Sequence, residues 1–108
     1  MKKALFSLQT VINPWKPPFH KKIETEEVEV HEGQEFDSIE KEPQKIFKLI
    51  KCNAEHCTVE YSGKFTLKGH EHPGNRQVEV GKEAISFTYL WGEEGITKKL
   101  TLKEIEEA

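Results

Sequence analysis

The sequence predicts an all-β fold, either a small antiparallel β-sandwich or a partly open barrel of about seven short strands with at most one short helical turn. Three observations predict it. Apolar and polar residues alternate in short runs, β-branched and aromatic residues are concentrated in these runs, and turn-forming residues separate them. At 108 residues, the chain is expected to fold as a single β domain spanning 1–108.

The first strand is predicted over Lys3 to Ile12, because mostly apolar residues occupy every second position and share one face. These residues are Ala4, Phe6, Leu8, Thr10 and Ile12. The segment 13–22 contains three prolines, which cannot donate ladder hydrogen bonds, and it is predicted to be a Pro-rich aromatic loop or arm. The second strand is predicted over Ile23 to Val30, with its valines inward and its glutamates mostly outward.

The middle of the chain is predicted to form a three-stranded meander. Residues 34–45 are predicted to be mostly loop, where Asp37 or Ser38 could cap one helical turn before Pro43. Two strands, 46–52 and 57–61, then form a hairpin around the loop 53–56, and the turn at 62–63 leads to a third strand over 64–68.

A second hairpin is predicted near the end of the chain, after a long polar turn over 69–76 and a short strand over 78–80. It pairs the strand 85–91 with the strand 96–105 around the loop 92–95. In the strand 85–91, the residues Ile85, Phe87, Tyr89 and Trp91 lie on one face. In the strand 96–105, the residues predicted to be buried are Ile96, Leu100 and Leu102.

Charge and hydropathy exclude some classes of function. The net charge of −3 disfavours a nucleic-acid binder, although Phe65, Tyr89 and Trp91 would be its stacking platforms. Basic doublets such as Lys98–Lys99 are interpreted as solvated positions. No segment reaches the roughly 18 apolar residues that a membrane-spanning helix needs. The apolar start is interrupted at Gln9, so we interpret it as a strand and expect a cytoplasmic protein.

The cysteines and histidines suggest a metal site, because thiolate and imidazole are the ligands that zinc prefers. The group is Cys52, His56, Cys57, His70 and His72. Its spacing does not match the paired ligands of structural zinc sites. The favoured interpretation is therefore two buried thiols that face each other across a hairpin, three surface histidines and no cofactor, with a cross-hairpin disulfide if the protein is exported.

The aromatic residues Trp15 and Phe19 on the arm, together with Trp91 beside Gly92, are the predicted partner-binding residues. The competing interpretation is that Trp15 or Phe19 folds back to plug the core. The sequence has no phosphate-binding loop and no catalytic constellation. We therefore expect a non-enzymatic protein-binding or assembly domain, which could bind a second copy of itself. We expect it to be a subunit of a bacterial or phage assembly. The alternative is a small metal- or ligand-binding β-barrel that uses the Cys/His group.

Overall fold

The computed structural model describes residues 2–14, 21–38, 45–63, 65–67, 74–91 and 94–107. Every regular element in these ranges is a strand, which confirms the all-β prediction. The nine strands are β1 (Lys2–Pro14), β2 (Lys22–His31), β3 (Glu35–Ser38), β4 (Lys45–Cys52), β5 (Cys57–Tyr61), β6 (Thr66–Leu67), β7 (Arg76–Val80), β8 (Ile85–Trp91) and β9 (Glu94–Glu107). Within the described ranges, no helix is long and apolar enough to cross a membrane.

The strands form two antiparallel sheets. The long sheet has the order β2-β1-β9-β8-β6, and the short sheet has the order β3-β4-β5-β7. The sheets pack face to face, since Phe6 of the long sheet stacks on Phe36 of the short sheet with ring centroids 5.6 Å apart. Two packed antiparallel sheets fit the predicted fold, a small sandwich or a partly open barrel.

Aromatic rings fill the space between the sheets around Phe47 of β4. The Phe47 ring lies 5.4 Å from that of Phe36 and 5.0 Å from that of Phe87 in the long sheet. Phe65, which precedes β6, lies 6.3 Å from Phe47 and also packs on Tyr89. These centroid separations are typical of favourable aromatic pairs, so the central rings join both sheets into one core.

Strand β1 extends beyond its predicted end. Asn13 and Pro14 belong to β1, and Lys22 begins β2, so the prediction of a loop over the whole of 13–22 is wrong at both ends. Pro14 is tolerated because it is the last residue of the strand, where a missing N–H removes at most one ladder bond. Residues 15–20 lie outside the described ranges.

The predicted meander is also wrong in its third strand. β6 pairs with β8 of the long sheet, and the position next to β5 is taken by β7. Gly63 provides the physical reason, because a Cβ atom there would collide with the backbone of Gly74. This close approach of two glycines brings the chain before β7 against the end of β5.

Residues 35–38 form strand β3, and not the predicted loop or helical turn. Asp37 does not cap a helix. It adopts a left-handed backbone conformation with φ of 62°, which aspartate tolerates better than most residues. Both predicted hairpins are present: Cys52 pairs with Cys57 beside the loop 53–56, and Trp91 pairs with Glu94.

Replacing Phe47 with alanine is expected to lower the free energy of unfolding by about 3–5 kcal/mol, because the cavity would lie among rings of both sheets. Ile23→Ala is the matched control, since Ile23 is 54% exposed and its loss should change stability by about 0.5 kcal/mol or less. Urea denaturation measures both values. Equal effects of the two substitutions would contradict the central role of Phe47.

Candidate functional site

The backbone at Pro14, where the predicted arm begins, and the Trp91 position lie at one end of the long sheet. Trp15 and Phe19 lie outside the described residues, but Trp15 directly follows Pro14. Pro14 pairs with Glu94, and Glu94 pairs with Trp91, so the base of the arm and the Trp91 position share one row across three strands. Lys22, the first residue of β2, is paired with Ile12 at the same end. We call this region the arm end.

Strand β2 is the outer strand of the long sheet and its first half is open to solvent. Residues 22–27 are exposed on both faces of the strand, whereas Val30 is fully buried. Val28 and Val30 were predicted to face inward. Glu24 and Glu26 lie on the same face of β2 as these valines, but both are exposed. Nothing in the described part of the short sheet covers these positions.

The two cysteines lie at the opposite end of the molecule, on the core side of the short sheet. Cys52 and Cys57 are free thiols with relative exposures of 8% and 0%. Their Sγ atoms are 2.6 Å apart, as the predicted pairing across the hairpin requires. Burial raises the pKa of both thiols, so they are protonated and weakly nucleophilic at neutral pH.

His56 lies in the loop between the two cysteines. It is exposed in the loop before β5, and its ring packs on Gly81, where an added Cβ atom would lie 2.7 Å from Cδ2. His70 and His72 lie outside the described residues. Within the described ranges, no group of three or more His, Cys, Asp or Glu side chains is arranged to hold a metal ion.

Glu32 connects the two sheets beside the thiol pair. Its carboxylate accepts one hydrogen bond from the Lys2 amide of the long sheet, at 2.7 Å, and one from the Cys52 amide of the short sheet, at 2.8 Å. These two backbone hydrogen bonds lower the pKa of Glu32. The turn that presents Glu32 depends on Gly33, whose φ is 88°. We call this arrangement the Glu32 clasp.

A second polar connection between the sheets is buried. The Lys98 side chain of β9 donates to the Thr10 hydroxyl at 2.9 Å and to Asp37 Oδ1 at 3.4 Å, and its Nζ lies 3.1 Å from Asp37 Oδ2. Oδ2 itself accepts no hydrogen bond in the described structure. Lys98 is only 5% exposed, so the prediction of a solvated lysine doublet is wrong for this residue. Its partner Asp37 comes from a distant strand that the sequence pattern did not reveal.

An open groove of about 1450 Å³ lies between the sheets on the side of His56. The loop residues 54–56, strand β7, the turn 82–84, the first half of β8 and the end of β9 line it. Apolar side chains such as Val78 and Leu102 alternate in it with charges of both signs, including Glu79 and Lys103. This mixed lining favours no single class of ligand.

Phe65 and Tyr89 are part of the core. Phe65 is 1% exposed, and its ring lies 5.2 Å from that of Tyr89. A buried ring offers no surface on which a base could stack, so Phe65 does not provide the platform that a nucleic-acid binder would require.

Comparisons with family models, with curated proteins and with solved structures found no match to this chain. Within the described residues, the fold and the site define an all-β domain of two antiparallel sheets, with β2 as an exposed outer strand and a buried thiol pair.

The Glu32 clasp is expected to make folding stability depend on pH. Because the folded pKa of Glu32 is lowered, its contribution is fully present above about pH 4.3, the ordinary pKa of glutamate, and is lost as the pH falls through the lower folded value. Glu32→Gln should therefore destabilise the protein at neutral pH and converge with the wild type in acid. Thermal melts from neutral to acidic pH measure the difference in stability between Glu32→Gln and the wild type. Glu83→Gln is the control, because Glu83 is exposed. A constant difference between Glu32→Gln and the wild type at every pH would contradict the assignment.

The Lys98–Asp37 pair is expected to show strong coupling. Asp37→Asn keeps a residue that tolerates positive φ but removes the negative charge, which leaves a buried ammonium unpaired at a cost of about 3–5 kcal/mol. In Lys98→Met/Asp37→Asn no charge remains buried, so the double variant should lose less stability than the sum of the two single variants. Denaturant unfolding of all four proteins measures the coupling, and additive losses would show that the pair is not coupled.

Proposed function

We propose that the protein is a non-enzymatic protein-binding domain whose contact surface is the open edge of β2 together with the aromatic arm. The observation that carries the proposal is the exposure of residues 22–27 on both faces of an outer strand. An edge strand with unpaired backbone groups is a template for another chain, and strand addition is a recurrent mode of peptide recognition.

Backbone hydrogen bonding supports this role for β2. The Glu32 amide donates to the Lys2 carbonyl, while the His31 amide turns away from β1 to the Gln34 side chain. Since N–H directions alternate along an antiparallel strand, the amides of Ile23, Thr25 and Glu27 also point away from β1. They form a row of donors along the outer edge.

The side chains of β2 favour a basic partner over a second copy of the chain. Glu26 and Glu27 have no ion-pair partner among the described residues, whereas Glu29 is paired with Lys3 at 2.6 Å. In an antiparallel pairing of two β2 strands centred on Thr25, Glu24 would face Glu26, and like charges in opposed positions are destabilising. A lysine- or arginine-rich extended segment would instead complement the acidic edge.

The arm contributes apolar contact area in this proposal. Trp15 and Phe19 belong to the segment that joins β1 to β2, and the Trp91 position lies at the same arm end. Tryptophan is enriched among the residues that dominate binding energy at interfaces.

The proposal is tested with two short synthetic peptides, one of alternating lysine and valine and one of alternating glutamate and valine. We expect the basic peptide to shift the amide NMR signals of Ile23, Thr25 and Glu27 at low salt, and the acidic peptide to leave them unchanged. Thr25→Pro removes one outward N–H without breaking a backbone hydrogen bond to β1, and its only other loss is the exposed 3.5 Å hydrogen bond that the Thr25 hydroxyl accepts from the Gln9 side chain, which Thr25→Val also loses. It should therefore abolish these shifts while changing stability by about 0.5 kcal/mol or less. Thr25→Val keeps the N–H and is the matched control.

The possible outcomes test the β2 edge, the choice of partner and the arm separately. Shifts confined to other strands, or equal binding by Thr25→Pro, would overturn the β2 edge as the contact surface. A dimer of the wild type in light scattering that Thr25→Pro abolishes would replace the basic partner with a second copy. For Trp15→Ala/Phe19→Ala, weaker binding at an unchanged thermal midpoint supports the arm as a contact, whereas unchanged binding with a lower midpoint shows that its rings plug the core.

A further inference from the structure

The two thiols at the end of the β4–β5 hairpin are the only cysteines of the chain, and they contact each other through their sulfur atoms. We propose that Cys52 and Cys57 form a reversible disulfide across the hairpin, with a small-molecule disulfide such as oxidised glutathione as the oxidant. This modification site is independent of the proposed binding surface on β2.

The backbone register places the two side chains on the same side of the hairpin. The Cys52 amide donates to Glu32 and not to the facing strand, so Cys52 and Cys57 form a non-hydrogen-bonded pair, the type in which opposed side chains lie closest. The loop between them is held by the Asn53 amide, which donates to the His56 carbonyl at 2.8 Å, and by Asn53 Oδ1, which accepts from the Glu55 and His56 amides. Little backbone movement is needed to bring the sulfurs to bonding geometry.

The reaction is a thiol–disulfide exchange in two steps. The thiolate of one cysteine attacks a sulfur of the oxidised glutathione, so that its S–S bond breaks, a protein–glutathione disulfide forms and one glutathione leaves as a thiol. The second cysteine then loses its proton and attacks the protein sulfur, which releases the second glutathione. The two cysteines give up two electrons and two protons, and one oxidised glutathione becomes two reduced molecules.

Cys52 is the residue that reacts first, because it retains 8% exposure whereas Cys57 is fully buried. Desolvation keeps both sulfurs protonated at neutral pH, so the first attack proceeds through a small thiolate fraction and is slow. The resulting mixed disulfide is short-lived, since the Cys57 sulfur already lies against Cys52. Burial slows the reduction of the closed bond by external thiols, which reach it through the partly exposed Cys52 sulfur.

Closing the bond would fix the end of the hairpin. The loop 53–56 carries His56 against Gly81 beside the groove, and Cys52 also anchors one arm of the Glu32 clasp. The Cys52–Cys57 bond would lower the conformational entropy of the unfolded chain and would restrain the loop 53–56. The thermal midpoint should therefore rise by roughly 5–10 °C.

The test uses the purified wild-type protein, reduced and then incubated with oxidised glutathione. We expect its intact mass to fall by two hydrogen atoms, its two alkylatable thiols to disappear and its thermal midpoint to rise, with all three changes reversed by dithiothreitol. Because the chain has two cysteines, a monomer with this mass contains this bond and no other. The mass measurement requires no variant, so it is decisive even if a cysteine substitution prevents folding.

Cys52→Ser and Cys57→Ser are the matched controls, and neither should show a rise in midpoint on oxidation. Two thiols that are still alkylated when the glutathione-treated wild type is unfolded in denaturant, or a stable glutathione adduct on either cysteine, would overturn the proposal. A rise in Cys57→Ser equal to that of the wild type would show that the stabilisation has another origin.

Discussion

The contact of aromatic rings across the space between the two sheets is the interaction on which the rest of the structure depends. Only 35% of the residues are hydrophobic, so a few large side chains must join the sheets. The ring of Phe47 lies against rings from both layers, and Phe6 stacks on Phe36 beside it. Because this core is centred on the short strands β3 to β5, the longer strands of the other sheet extend past it. The open half of β2 follows from that difference in length.

Polar connections fix how the sheets lie relative to each other. Hydrophobic contact is non-directional and would tolerate small shifts of one layer over the other. The Glu32 clasp and the Lys98–Asp37 pair both join a strand of the long sheet to a strand of the short sheet. The charge on Lys98 is buried, so it is stable only where Asp37 and Thr10 surround it. Each connection therefore specifies one arrangement of the layers.

The sequence predicted the parts of the fold that depend on near neighbours. The alternation of apolar and polar residues predicted most strands, and the turn-forming residues predicted both hairpins. The facing positions of Cys52 and Cys57 were therefore predictable. The pairings between distant segments were not predictable, because no local sequence pattern indicates that β5 pairs with β7 and not with β6. Lys98 was misassigned for the same reason, since its burial depends on Asp37, a residue 61 positions away. The role of Glu32 was hidden because its two donors are backbone amides, which carry no side-chain signature.

The thiol pair and the arm end lie at opposite ends of the longest strands. Glu32 binds the amide of Lys2, the first residue of β1, whereas the arm begins after Pro14, its last residue. At about 3.3 Å per residue, β1 separates these regions by roughly 40 Å, which is close to the 47 Å length of the molecule. Oxidation of the cysteines would restrain the loop at His56 and the adjacent clasp, but no described contact carries that restraint to residues 22–27. The proposed oxidation of the hairpin and the proposed binding at the edge strand can thus be tested independently of each other.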